Sequence, residues 1–93
     1  MTTRVNPAHR HPGTAHLLVL LNTDHLPPKL HEISGAVEDL AHELVAKLED
    51  GPELTVGLRH LLDAKDALVR QRVIDLKAAA EVLGSNDPEP ELL

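Results

Sequence analysis

Seven histidines are spread through the 93 residues, and three of them, His9, His11 and His16, lie close together near the N-terminus. Histidines in such numbers raise the question of a metal. A closed zinc site needs several preorganised nitrogen, oxygen or sulfur ligands. His9 and His11 fall in a stretch that reads as coil, no His-x-x-x-His pair shares one expected helix, and the chain has no cysteine. The histidines therefore read as solvated side chains, with His42 on the flank of a helix, and no metal or cofactor is expected. Nucleophilic catalysis has as little to work with. The serines are Ser34 and Ser85, and neither sits in a nucleophile-elbow pattern. The carboxylate pairs Glu38/Asp39 and Asp63/Asp66 lie in expected helices of an acidic protein, where they read as solvated faces or ion pairs. Asp66 precedes Arg70, and Glu43 precedes Lys47, by the four residues that favour a helical ion pair. No catalytic residue is expected, and the chain does not read as an enzyme.

The cations are more suggestive. Arg59, His60, Lys65, Arg70, Arg72 and Lys77 share one segment. Lys65 and Arg72 fall within an apolar stripe, which calls for long side chains that reach out past it or pair with acids at an interface. The other reading is that several copies of the chain gather these groups around an anion, a task for which the arginine fork is suited. The formal net charge of −6 argues against binding a nucleic-acid duplex. A small anionic ligand in a local basic pocket is compatible with it.

The elements that must position these groups follow from the apolar pattern. Hydrophobic residues make up 42% of the chain and none is Phe, Tyr or Trp, so the core must be aliphatic. Such a core suits helix-on-helix packing. Residues 1–13 read as a flexible arm. Thr14 is placed to cap a short helix through Leu21. Pro27 and Pro28 then break the chain, and a second helix is expected from Pro28 to about Leu48. Its apolar face is Leu30, Ile33, Val37, Leu40, Leu44 and Leu48, spaced by three and four. Gly51 is the expected C′ residue of that helix, and Pro52 and Glu53 suit the first turn of the next. The third helix, from about Pro52 to Leu83, would be roughly 45 Å long. It carries two stripes. Leu54, Leu58, Leu61, Leu68, Leu76 and Leu83 form one, and Leu62, Val69, Val73, Leu76 and Ala80 form the other. A single antiparallel partner covers one stripe, so Leu62, Val69, Val73 and Leu76 are expected at an interface between copies. Residues 85–93, acidic and proline-containing, read as a disordered tail.

Three segments carry a resemblance. "HLPP" at His25–Pro28, "DLAHELV" at Asp39–Val45 and "DGPELTVGLRHLLDAKDALVR" at Asp50–Arg70 look like small helical proteins of actinobacteria and their phages. Those resemble the helical-hairpin sponge proteins that phages use against CBASS and Thoeris immunity. The likeness spans roughly Leu20 to Ile74. It implies a homo-oligomer, often a hexamer, that binds cyclic di- or trinucleotides or related nucleotide signals between subunits without cleaving them. His25, Pro27, Glu53, Leu58, Leu61 and Ala64 match the family pattern. Thr23 stands where the family tends to have an aromatic, Ser34 where it has an Arg, and His60 where it has a Lys. If the chain binds such a ligand, the phosphate contacts are expected from Lys29, Arg59 and His60, with Thr23 and His25 lining the pocket.

The expectation is thus an all-α domain over residues 14–84: a short helix, then a long antiparallel helical hairpin, self-associating in the cytoplasm. No membrane segment is expected. The competing expectation is a helical adaptor or inhibitor with no small ligand, docking a protein through the Leu62–Val69–Val73 face.

Overall fold

A computed structural model describes Asn6 and residues 9–82; the expected acidic tail, Leu83 and Gly84 lie outside the described residues. Among those described, the chain is all helical. α1 covers Pro12–Leu21, α2 Pro28–Lys47 and α3 Pro52–Val82. Every pair of helices is in contact. None is long and apolar enough to cross a membrane.

α1 begins two residues ahead of the expected cap. Pro12 occupies its first turn, where a missing N–H is harmless, and the His11 ring caps it by accepting from the Gly13 N–H at 3.0 Å. Thr14 is therefore inside the helix, fully buried, and its hydroxyl donates to Asp50 at 3.0 Å. Asp50 also accepts from the His11 N–H and from Arg10 Nε, both at 3.1 Å. Arg10 goes further. Its Nη1 and Nη2 donate to the carbonyls of Val45 and Leu48 at 2.8 and 2.7 Å. A helix leaves its last carbonyls without partners, and here a side chain from before α1 supplies them. Part of the segment expected as an arm, residues 9–13, thus ties α1 to the end of α2.

α2 ends at Lys47, and Leu48 is extended, with φ −122° and ψ 151°. Gly51 is consequently not a C′ residue of α2. Its carbonyl instead accepts from the Thr55 N–H at the start of α3, at 3.3 Å. From this turn α3 runs back along α2. Near the far end of the pair, Arg72 Nη1 donates to the Lys29 carbonyl at 3.2 Å and Nη2 lies 3.6 Å from Glu32.

The core is Leu17, Leu18 and Leu21 of α1, Ala41 and Val45 of α2 and Leu58 of α3, with Val37, Leu54, Leu61 and Leu62 packed around it. It uses a different face of α2 from the one expected. Leu30 is buried as predicted, but Leu40, Leu44 and Leu48 are exposed. The buried residues are Leu30, Ser34, Gly35, Glu38, Ala41, His42 and Val45. At roughly 100° per residue, this face is turned about 100° from the leucine stripe. The reason is that α2 has two neighbours. The small residues Ser34, Gly35 and Ala41 lie on its buried side, while Leu40, Leu44 and Leu48 stay exposed.

The second stripe of α3 is partly enclosed within the single chain. Val69, expected at an uncovered face, is 5% exposed within the single chain, and Leu62, Val73 and Leu76 are half-buried. The large apolar side chains left in solvent along α3 are Val56, Leu68, Ile74 and Val82.

Candidate functional site

The segment between α1 and α2 carries two of the expected ligand residues, and its conformation follows from local hydrogen bonds. The Asp24 N–H donates to Asn22 Oδ1 at 3.1 Å, and the Leu26 N–H donates to the Thr23 carbonyl at 3.0 Å. Both are short-range turn closures of the kind Asn and Thr side chains and backbones favour. The buried Thr23 hydroxyl then donates to Ser34 Oγ at 2.5 Å, and Ser34 Oγ lies 3.5 Å from the His31 carbonyl. The turn is pinned to α2 by a buried hydroxyl pair.

Thr23 and Ser34, eleven residues apart, thus meet in space. Thr23, expected to line a pocket, has its hydroxyl committed to Ser34.

Facing this turn is a pocket of about 330 Å³ between it and the middle of α3. Thr23, His25, Lys65, Asp66, Val69 and Arg70 contribute to its wall. Lys65 buries its stem and places Nζ 2.7 Å from Asp66 Oδ1. That is the outward reach expected of a cation inside an apolar stripe. Arg70 is exposed at the wall, and no ion pair joins it to a described residue. The expected Glu43–Lys47 pair forms at 3.2 Å, whereas Asp66 pairs with Lys65.

Of the five expected ligand residues, the structure gathers Thr23 and His25 at this pocket and leaves the other three outside its wall. Lys29 is exposed in the first turn of α2, with its carbonyl held by Arg72. Arg59 and His60 are exposed on α3. His60 follows the buried Leu58 by two residues, so it points roughly 200° around the helix from the core. Lys65 and Arg70 are the cations at the pocket; they belong to the basic run read as one that could gather around an anion, but not to the five expected ligand residues. Their signal was present in the basic run of α3, but which of its members face the turn depends on how α1 and its loop pack.

Two further features stand out. A second pocket, about 440 Å³, opens at the α2–α3 turn and is apolar, with Leu44, Leu48, Pro52, Leu54 and Leu61 in its wall. On the other side of the Thr23 turn, Asp24, His31 and Glu38 bring ligand-type atoms within 4.8 Å of one another. Among the described residues this is the group that could hold a metal ion.

Compared with family models, curated proteins and solved structures, the chain matches none of them.

Proposed function

We propose that this chain is a non-catalytic binding protein that takes up a phosphate-bearing nucleotide signal, of the cyclic di- or trinucleotide class, and holds it intact. The observation that carries the reading is the pocket at the Thr23–His25 turn. There an acidic chain sets Arg70, beside Lys65 paired with Asp66, on a wall shared with the His25 imidazole. Its volume lies at the lower end of the roughly 300–1,000 Å³ usual for small-molecule sites. An arginine free to present its fork is a good phosphate partner. The role of such binding, withdrawing an immune messenger from its effector, comes from the sponge resemblance. In this reading copies of the chain assemble through the apolar surface of Leu44 and Leu48, and Lys29, Arg59 and His60 reach a ligand from a neighbouring copy.

Native mass spectrometry of the protein with a panel of cyclic di- and trinucleotides and ADP-ribose-type signals tests the reading. An intact nucleotide on the protein is the expected result. Arg70→Gln should weaken its binding by about tenfold or more, the loss of one charge-assisted contact. Lys29→Gln combined with Arg59→Gln should weaken it without changing the number of subunits. A shortened nucleotide would make the chain an enzyme. No binding across the panel would overturn the ligand.

A second reading is favoured by the α2–α3 groove. Leu44 and Leu48 are 37% and 51% exposed beside Leu54 and Leu61, an apolar surface that suits a protein partner as well as a second copy. Under this reading the chain is an adaptor or inhibitor. It docks through the groove rather than through Leu62–Val69–Val73, which the chain itself largely covers.

A further inference from the structure

We infer that Asp24, His31 and Glu38 form a binding site for one divalent transition-metal ion, with zinc the best fit to the donor set. This goes beyond the nucleotide reading and does not rest on it.

The donors are one imidazole nitrogen and two carboxylate oxygens, mutually within 4.8 Å. Zinc takes nitrogen and oxygen ligands at about 2.0–2.2 Å in tetrahedral arrangement, which puts neighbouring ligand atoms about 3.3–3.5 Å apart. His31 Nε2 and Asp24 Oδ1 are already 3.2 Å apart. The remaining separations, all within 4.8 Å, would have to close to that spacing on binding. Imidazole with carboxylate selects transition metals over calcium or magnesium, which prefer oxygen alone.

The placement of the three is held by the fold. His31 and Glu38 are seven residues apart on α2, two turns along one side of the helix. Between them is Gly35, which is buried. A Cβ at Gly35 would lie 3.2 Å from His31 Cε1 and 3.5 Å from Nε2. The glycine therefore leaves the space in which the ring lies over the helix, and it does so at a mid-helix position where glycine costs about 1 kcal/mol against alanine. Asp24 comes from a separate element, the turn that the Thr23–Ser34 hydroxyl pair pins to α2. The site grades from a fully buried Glu38 through a half-buried His31 to an exposed Asp24. A metal seated there would keep a coordination position toward water.

The spacing also explains why the sequence does not announce the site. A helical metal pair is usually sought at four residues, and here the intervening turn is a glycine. The third ligand arrives from outside the helix.

The test uses the full chain, stripped with chelator and titrated with zinc alone. Stoichiometry is read by native mass spectrometry, affinity by calorimetry and coordination by the visible spectrum of the cobalt-substituted protein. One zinc per chain is expected, with a rise in melting temperature as zinc exceeds its Kd. Because Asp24 and His31 reach the surface, Asp24→Asn and His31→Gln should fold, and each should weaken zinc binding at least about tenfold. Gly35→Ala should weaken binding while leaving the metal-free melting temperature equal or higher. His16→Gln, on the exposed side of α1, should bind as the parent does. Zinc binding unchanged in His31→Gln, or lost equally in His16→Gln, would overturn the site, as would a parent chain that takes up no zinc.

Discussion

Asp50 shows how much one side chain in a turn can organise. It accepts hydrogen bonds from the His11 N–H, the Thr14 hydroxyl and Arg10, and so fastens α1 to the end of α2. These contacts hold its carboxyl below the ordinary carboxylate range. The His11 N–H is the largest cause, its partial desolvation opposes the shift, and Thr14 and Arg10 add to it. The unfolded chain, with an ordinary Asp pKa near about 3.9, takes up the proton first as pH falls. The stabilisation from Asp50 is therefore complete above about pH 4 and is lost as pH drops through the lowered folded-state value. In Asp50→Asn that contribution is absent at every pH. Denaturation midpoints of parent and variant, followed from neutral pH downward, should differ most above about pH 4 and converge below it. A constant difference throughout would mean that the carboxylate charge is not what holds α1. At this scale the sequence was partly readable. Asp50 was legible as part of a turn, and Glu43–Lys47 as a helical pair. The partnership of Asp50 with Arg10 was not, because the two are forty residues apart and neither sits in a pattern.

At the scale of the helices, the boundaries came from prolines and the interior from packing. Pro12, Pro28 and Pro52 each open a helix, since a residue without an N–H is tolerated in the first turn. The face of α2 that enters the core was not fixed in that way. A leucine row at three- and four-residue steps is a sound indicator when a helix has one neighbour. α2 has two, and its buried side runs through Ser34, Ala41 and Val45 while Leu40 and Leu44 stay outside. Alanine substitution separates the two faces. Leu30→Ala should cost about 2–5 kcal/mol, as for a fully buried leucine, and Leu40→Ala within about 1 kcal/mol, as for a surface site. Urea denaturation measures both. Equal losses would restore the leucine stripe as the core face.

At the scale of the whole molecule, the question is what the chain does with the apolar surface it cannot cover. Val69 is enclosed by the chain itself, so Val69→Lys buries a charge and should unfold the protein rather than merely separate copies of it. Leu48, 51% exposed at the groove, should tolerate lysine in the monomer. If copies associate there, Leu48→Lys should lower the sedimentation coefficient while leaving the far-ultraviolet circular dichroism unchanged. An assembly that survives Leu48→Lys would place the contact elsewhere, with Leu68 and Ile74 of α3 the next exposed surface to test.

The sequence by itself determined that this protein is helical, that its second and third helices start at prolines, that its core is aliphatic and that its cations crowd onto the last helix. These are local properties, set by backbone geometry and by the spacing of side chains along one element. The tertiary structure decided which side of α2 faces inward and which cations face the Thr23–His25 turn. It also decided that Thr23 meets Ser34 and that Asp24 meets His31 near Glu38. Each of those depends on how one helix is rotated against another. A chain with aliphatic residues on more than one face of its helices does not specify that rotation until the pieces pack.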